Sequence, residues 1–229
     1  MKAILAGTLE TGLGNTLKDV TIFIKDGKIA KISERLDPEG ASEVIDASRM
    51  TVTPGLIDAH THIGTYCEGF PEGMADANDM VDPVVPHLRI LDAIYQDDTA
   101  FDDALAGGVT CVQTLPGSAN IIGGQGAIIK TAVNREGRKR IVDEMVVRAP
   151  SSMKAALGEI PIRVYKEKKK LPNTRMGNAA LLRQAFVDAE NYRVKAARAK
   201  DRGEAVERNL MHEAMLPVLE GDLPLCIHA

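Results

Sequence analysis

The sequence is poor in aromatic residues and contains no tryptophan: Phe, Trp and Tyr together make up 3% of its 229 residues. This scarcity argues against a surface that stacks single-stranded bases or binds proline-rich peptides. Excess charge is also lacking, because 28 basic and 32 acidic side chains leave a net charge of −4. That balance gives no electrostatic footprint for nucleic acid or for an anionic membrane. The core is therefore expected to consist of Val, Ile, Leu, Ala and Met.

Cysteine and long apolar runs are scarce as well. The three cysteines are Cys67, Cys111 and Cys226, an odd number without zinc-finger spacing, which indicates reduced thiols rather than a disulfide framework. No apolar run reaches the roughly 18 residues needed to span a bilayer. The first residues also lack the apolar stretch of a signal peptide. We therefore expect a soluble, cytoplasmic protein with no membrane or nucleic-acid partner.

The first fifty residues carry β-strand signals. Val20, Ile22 and Ile24 alternate along one face, and Asp26-Gly27 follows before another alternating run. Asp-Gly between such runs is a strong hairpin signal, because type I′ turns need a positive φ at both central positions. Four or five short strands cannot close a core by themselves. Residues 1–53 are therefore predicted to be the N-terminal part of a small β-sandwich domain.

From residue 54 onward the pattern changes to alternating strands and helices. Short apolar segments at 55–60, 109–114 and 223–228 are predicted to be strands, the first and the last of them buried, and two amphipathic helices precede the last. Such alternation is typical of parallel strands joined by crossover helices. The stretch is shorter than the roughly 250 residues of a full eightfold barrel. The basic run at 166–170 is interpreted as a solvated loop.

The motif His60-Thr61-His62 carries the sharpest chemical signal. On a strand, residues two apart point the same way, so both imidazoles and Asp58 share one face. They lie at the carboxyl end of a strand, where α/β barrels place their active sites. Zn²⁺ accepts neutral imidazole readily, and a buried Asp58 would need a hydrogen bond or a nearby metal. The alternative is two polar residues that face solvent at a strand end.

Residues around this motif resemble a known family. Pro54-Gly55-Leu56-Ile57-Asp58-Ala59-His60-Thr61-His62 resembles the first-strand signature of the amidohydrolase superfamily, metal-dependent hydrolases built on a (β/α)₈ barrel. Segments 82–86, 115–126 and 223–229 resemble the imidazolonepropionase-like branch of that superfamily. The resemblance implies an α/β fold in which an incomplete (β/α)₈ TIM-type barrel, residues 54–229, follows part of a small β-sandwich.

The resemblance also implies a metal site. It assigns His60 and His62 as first-strand ligands and His228 as the ligand from a later strand. Family members add a group from a middle strand, either a Glu or a carboxylated Lys. Glu159 is our candidate for that group and Lys154 is the alternative. One or two divalent ions are expected, with zinc preferred over Fe²⁺ and Mn²⁺.

The glycine-rich stretch 117–126 follows a predicted strand and should overhang the site. Its glycines permit close backbone approach, and Ser118, Asn120 and Gln125 can hydrogen-bond a polar substrate. No Lys-Ser or Lys-Thr follows it, so it is not a P-loop. A purely structural loop is the alternative. His87 and His212 fall in predicted helices and are expected to be surface or packing residues.

The predicted function is that of a metal-dependent hydrolase that cleaves a C–N bond in a small amide or cyclic amide. The later histidine and the proton-shuttle aspartate of the family have no match, so the chain resembles an N-terminal portion and its catalytic acid is unknown. We expect it to bind metal weakly and to turn over little by itself. The alternative is a non-catalytic chain that works by association, as a homo-oligomer or with a complementary C-terminal polypeptide, because an incomplete barrel exposes strand edges.

Overall fold

A computed structural model describes residues 1–69, 75–132 and 141–229. The chain divides into two compact units, Met1–Gly55 and Leu56–Ala229, so the division falls two residues after the boundary expected from the sequence. Across the described ranges, none of the helices combines the length and the apolar character needed to cross a membrane. The candidate site lies in the second unit.

The first unit is a four-stranded sheet in the order β3-β2-β1-β4. Its strands are β1 Lys2–Glu10, β2 Thr16–Lys25, β3 Lys28–Ser33 and β4 Glu43–Val52. Strand β2 pairs antiparallel with β1 and β3, whereas β1 and β4 are parallel. Asp26 and Gly27 form the turn between β2 and β3 with φ of 52° and 72°. The positive φ at both positions is what the Asp-Gly signal predicts.

The second unit is a mixed α/β domain. Its strands are β5 Leu56–Thr61, β6 Val109–Thr114, β7 Ile122–Gln125, β8 Ala127–Lys130, β9 Val146–Arg148, β10 Met153–Ala156 and β11 Leu225–His228. Its helices are α1 Ala100–Ala106, α2 Val142–Met145, α3 Glu159–Glu167, α4 Arg175–Asp201 and α5 Leu210–Glu220. The strands form two sheets, in the orders β5-β6-β8-β9 and β11-β10-β7.

Strand direction in this unit differs in part from the expectation of parallel strands. The pairs β5–β6 and β10–β11 are parallel. Strands β7 and β8 run antiparallel to their neighbours β10 and β6, and Gly126 alone separates them. A Cβ at Gly126 would overlap the end of the Leu115 side chain, so a larger residue there would require Leu115 to move. Closure of these strands into part of a (β/α)₈ barrel stays a prediction.

Helices α4 and α5 begin and end at residues suited to those positions. The Thr174 side chain accepts the Gly177 N–H at the start of α4, and Asn209 accepts two N–H groups at the start of α5. Helix α5 ends at Gly221, which has a φ of 82°. The apolar face of the helix pair packs against β7 and β10 in one buried cluster, made of Ile121, Ile122, Met153, Ala185, Ala189, Met215 and Leu223.

Two predictions about burial and position are wrong. The strands at 55–60 and 223–228 are not buried: Leu56 and Ile57 of β5 are 57% and 72% exposed, and Ile227 of β11 is 48% exposed. The reason is that β5 and β11 each have a hydrogen-bonded neighbour on one side only in the described sheets. His87 does not lie on a helix, because it precedes a short 3₁₀ helix at Ile90–Ala93. His212 lies on α5.

The basic run at 166–170 is exposed throughout, as expected of a solvated segment, although its first two residues belong to α3 and two of its ammonium groups also bind backbone oxygens. The Lys168 ammonium donates a hydrogen bond to the Met80 carbonyl, and the Lys170 ammonium donates to the Val81 carbonyl at 3.2 Å. Long aliphatic stems let these lysines reach backbone oxygens far away along the chain. The run therefore holds a loop that follows β5.

Candidate metal centre

Three imidazoles converge at the carboxyl ends of β5 and β11. His60 and His62 are two residues apart on and just after β5, and their ring centroids lie 5.5 Å apart. The His228 ring, at the end of β11, lies 6.1 Å from the His60 ring. The structure thus brings together the three histidines that the sequence singled out, although His228 is 166 or more residues away along the chain.

The His62 ring is held in one tautomer. Its Nδ1 lies 2.7 Å from the Leu115 carbonyl oxygen, which can only accept, so Nδ1 carries the proton and Nε2 has a free lone pair. The backbone of His62 is fixed as well, because its carbonyl accepts the N–H and the hydroxyl of Thr65. In metal-binding histidines, one ring nitrogen commonly donates to a protein group that orients the ring, and the other nitrogen binds the metal. The bond from Nδ1 to the Leu115 carbonyl gives His62 this arrangement.

The His228 ring is held by Ser118. The Ser118 Oγ lies 2.5 Å from His228 Nδ1 and also accepts a hydrogen bond from the Lys154 ammonium at 3.2 Å. Lys154 donates a further bond to the Pro116 carbonyl at 2.9 Å. A serine oxygen has two lone pairs, so it can accept from both Lys154 and His228 Nδ1–H. In the His228 tautomer that carries its proton on Nδ1, this contact leaves Nε2 free.

The electrostatics favour neutral imidazoles. Burial lowers the pKa of His60, and the nearby Lys154 lowers it further. Burial also lowers the pKa of His62, against an opposing effect of its bond to Leu115. Lys154 is itself 1% exposed, and burial lowers its pKa to about 8. Because a metal binds the neutral imidazole, these shifts favour metal binding near neutral pH.

Imidazole nitrogens are ligands that suit zinc, but the three rings do not surround a common position in this structure. Over the parts of the chain that the structure describes, no three His, Cys, Asp or Glu side chains are grouped closely enough to hold a metal ion. With Zn–N distances of about 2.1 Å and tetrahedral angles, two coordinating rings have centroids about 5 Å apart. The observed separations of 5.5 and 6.1 Å are slightly wider. The His60 ring is therefore within about 1 Å of the centroid separation that two zinc-bound imidazoles show.

A crystal structure of an amidohydrolase from Thermotoga maritima resembles this chain closely. It superposes with a TM-score of 0.90 at 37% sequence identity and covers 100% of this chain and 58% of that chain. The chain belongs to the amidohydrolase superfamily. The resemblance seen in the His60-Thr61-His62 signature is thereby confirmed.

Curated relatives of the superfamily match over shorter stretches. The amidohydrolase tasK of Hapsidospora irregularis is 32% identical over 173 residues, which are 72% of this chain and 18% of that protein. The imidazolonepropionase of Staphylococcus aureus (strain JH9) is 49% identical over 49 residues, 21% of this chain and 12% of that enzyme. The chain thus spans less than one fifth of the length of these two relatives. No protein-family model matches it.

The two candidates for the superfamily's middle-strand ligand occupy different places. Lys154 lies on β10, beside Cys226 of β11, and shares Ser118 with His228. Glu159 begins α3 beyond the end of β10, and its side chain is exposed. It lines a cavity of about 150 Å³ together with Ser118 and His228. Lys154 is therefore in hydrogen-bonded contact with the cluster, whereas Glu159 lies at its rim.

Asp58 lies on β5 but is not buried. Its Oδ1 accepts the backbone N–H of His60 at 3.0 Å, and its side chain is exposed. The expectation of a buried carboxylate is wrong because β5 is an edge strand in the described sheet. The bond to His60 nevertheless fixes the backbone that carries the first imidazole.

The three side chains expected to bind substrate also differ in their contacts. Ser118 joins the imidazole cluster. Asn120 is 1% exposed, and its amide donates to the carbonyls of Asp79 and Asp82 at 2.7 and 2.8 Å. Gln125 donates weakly to the Pro86 carbonyl at 3.4 Å. Asn120 therefore fixes loops in this structure, and substrate contact by Asn120 and Gln125 stays a prediction.

Two further residues belong to the site and were not found from the sequence. The Tyr66 ring packs edge-on against the His62 ring, with centroids 5.8 Å apart. The Asn78 amide donates to the Tyr66 hydroxyl at 2.9 Å. Both residues lie in the polar loop after β5, where neither periodicity nor spacing distinguishes them from their neighbours.

Proposed function

We propose that this chain forms the metal-binding part of a hydrolase that cleaves a C–N bond in a small amide or cyclic amide. The observation that carries the proposal is the cluster of three imidazoles, two of which have one ring nitrogen held by a protein group. His62 is anchored on the Leu115 carbonyl and His228 on Ser118. Membership of the amidohydrolase superfamily supports the reaction class.

In this proposal His60, His62 and His228 hold a divalent cation, with zinc preferred because imidazole suits it. Such a cation, when bound, polarises a carbonyl oxygen and lowers the pKa of a coordinated water toward about 7. Burial lowers the pKa of His60 and His62 and so favours their neutral forms, and hydrogen bonds orient the His62 and His228 rings before the ion arrives. Ser118 holds His228, and the Leu115 carbonyl holds His62 in the tautomer that leaves Nε2 free.

We assign the middle-strand ligand to Lys154 in a carboxylated form, rather than to Glu159. The support is that Lys154 contacts the Ser118 that holds His228, and that burial lowers the pKa of Lys154 to about 8. A lowered pKa increases the fraction of neutral amine, the form that forms an N–C bond with carbon dioxide and releases one proton. The product replaces a buried positive charge with a negative one, which suits a cation site.

For the substrate, the match to imidazolonepropionase supports a small cyclic or linear amide such as a modified amino acid or a dipeptide. General acid catalysis needs a positioned proton donor at the leaving nitrogen. The resemblance to the superfamily implies an aspartate from a later strand in this role, and no residue in 1–229 is matched to it. We therefore propose that the chain by itself turns over slowly or not at all.

Metal binding by the chelator-treated chain tests the proposal. Zinc affinity is measured by competition with a chromophoric chelator for the wild type and for the double variant His60→Ala/His62→Ala. We expect the wild type to bind zinc and the double variant to lose roughly 100-fold or more in affinity, since two ligands are removed. His212→Ala, a histidine on α5 outside the cluster, should bind as the wild type does. A wild type that binds no zinc, or a double variant that binds normally, would contradict the metal site.

A second candidate function, association with another polypeptide, is favoured by the exposed apolar residues of the edge strands β5 and β11. β5 presents Leu56 and Ile57, and β11 presents Ile227, at exposures of 57%, 72% and 48%. Unpaired edges with apolar side chains favour pairing with another strand. We propose a homo-oligomer, or a complex with a complementary C-terminal polypeptide, that covers these edges.

Sedimentation velocity over a range of concentrations tests this association. We expect the purified chain to sediment as a dimer or larger species and Ile57→Lys to shift the distribution toward monomer, since a charge would be buried at the edge. Val187→Lys changes an apolar residue of similar exposure, 51%, on helix α4 and should leave the distribution unchanged. A wild type that remains monomeric at all concentrations argues against the homo-oligomer.

A further inference from the structure

A loop after β5 is held by an unusual number of side chains. Four consecutive backbone carbonyls, those of residues 79–82, accept hydrogen bonds from side chains of other elements. Asn120 reaches the first and the last of them, Lys168 and Lys170 reach the middle two, and the Tyr165 hydroxyl adds a bond of 2.7 Å to the last. We call residues 78–82 the anchored loop. Its backbone cannot shift without breaking several of these bonds.

Asn78 begins the anchored loop and uses both ends of its amide. Its Nδ2 donates to the Tyr66 hydroxyl at 2.9 Å, and its Oδ1 accepts the Ala119 N–H at 3.0 Å. The amide also lies against the bare Cα of Gly117, where an added Cβ would overlap it. Asn78 therefore joins two separate loops, the one that follows His62 and the one that carries Ser118.

Each of these loops leads to an imidazole. The turn 117–119 carries Ser118, whose Oγ contacts His228 Nδ1 at 2.5 Å. On the other side, the Tyr66 ring packs edge-on against the His62 ring at 5.8 Å. The Asn78 amide thus contacts Tyr66, the neighbour of His62, directly, and it contacts Ala119, one residue from the Ser118 that holds His228.

We propose that Asn78 is a positioning residue that sets the orientation of His62 and His228 together. It acts on His228 through the Ser118 turn and on His62 through Tyr66. The expected effect of Asn78 on metal affinity rests on the proposed function, since ring orientation controls affinity only if the imidazoles bind a metal. Its effect on the orientation of the two rings is inferred from the contacts within the chain and needs no metal.

The test compares Asn78→Ala, Tyr66→Phe and Gln184→Ala in the metal-free chain and after zinc or cobalt loading. Asn78→Ala removes the hydrogen bonds to both Tyr66 and Ala119, and Tyr66→Phe removes only the hydroxyl that Asn78 contacts. Gln184→Ala deletes an amide of the same chemistry that is bonded to Asp188 on the exposed side of α4. Imidazole ¹⁵N chemical shifts, zinc affinity, the visible spectrum of bound Co²⁺ and urea unfolding are measured for each.

We expect Asn78→Ala to move the metal-free ¹⁵N shifts of both His62 and His228, to lower zinc affinity about tenfold and to change the cobalt spectrum. Tyr66→Phe should move the shifts of His62 and leave those of His228, and it keeps the inference testable if Asn78→Ala unfolds. Gln184→Ala should match the wild type in every measurement. Unchanged His62 and His228 shifts in Asn78→Ala, or unchanged His62 shifts in Tyr66→Phe, overturn the positioning role. Failure of the wild type to bind either metal instead overturns the proposed function, and the metal-free shifts still decide the role of Asn78.

Discussion

The interior strand β10 and the edge strands β5 and β11 contribute to the same site in opposite ways. All four residues of β10 are buried between β7 and β11, and one of them is the charged residue Lys154. Five of the six residues of β5 are exposed, yet β5 carries His60 and leads into His62. Burial by neighbouring strands thus places the lysine, whereas individual hydrogen bonds place the imidazoles.

Burial on the interior strand β10 carries a desolvation cost for the Lys154 ammonium. The Lys154 ammonium makes its bonds to two neutral oxygens, the Pro116 carbonyl and the Ser118 hydroxyl. Among the described residues, Lys154 forms no salt bridge with an Asp or Glu, so the desolvation of its charge is poorly compensated. On the edges no comparable cost arises, because the side chains stay in contact with water.

The largest expected effect is a difference in the free energy of unfolding between truncations on the interior strand β10 and on the edge strand β5. Met153 of β10 is fully buried in the cluster with Ile122 and Met215. Met153→Ala should lower the free energy of unfolding by about 2–5 kcal/mol, through lost transfer energy and a residual cavity. Ile57→Ala removes a similar volume from β5, where the side chain is 72% exposed in the single chain, and should cost less than about 0.5 kcal/mol at protein concentrations at which the chain is monomeric. Urea unfolding of the metal-free chain measures both.

Equal losses in the two variants would break the comparison. A large cost for Ile57→Ala would mean that β5 is covered in solution, as it would be in an oligomer. The same measurement at several protein concentrations separates that case, since a stability that depends on concentration indicates association.

Local patterns were sufficient to predict several particulars of this fold. The two-residue period of a strand predicts that His60 and His62 share a face, and the Asp26-Gly27 pair predicts the hairpin between β2 and β3. Both rest on the conformational preferences of neighbouring residues. His228 was predicted from the resemblance of segment 223–229 to the family, because no local pattern distinguishes it as a ligand.

Burial and long-range contacts could not be predicted in the same way. Whether β5 is buried depends on which strands lie beside it, and its apolar sequence Leu56-Ile57 is compatible with either outcome. The Ser118–His228 contact joins residues 110 positions apart, and the Lys168–Met80 contact joins residues 88 apart. A run of lysines has the same composition whether its ammonium groups meet water or backbone carbonyls. These parts of the site follow from the packing of the whole unit.

A smaller effect that sharpens the contrast is the pH dependence of stability caused by Lys154. Its pKa is lowered by burial from 10.5 to about 8 in the folded chain. Between these two values the unfolded chain binds the proton and the folded chain does not, so this group makes stability rise as pH increases from 8 toward 10.5. The slope from one such group is at most about 1.4 kcal/mol per pH unit. Lys154→Met should lack this rise.

Urea unfolding of chelator-treated wild type and Lys154→Met at half-unit intervals from pH 7 to pH 10 measures the difference. Other groups that titrate in this range contribute to both proteins and cancel in the difference between the two curves. Lys195→Met, a lysine on the exposed side of α4, should keep the wild-type slope. If Lys154→Met also keeps it, the ammonium of Lys154 is solvated or paired in solution. The interior strand would then impose no electrostatic cost, and the distinction between β10 and the edge strands would reduce to packing alone.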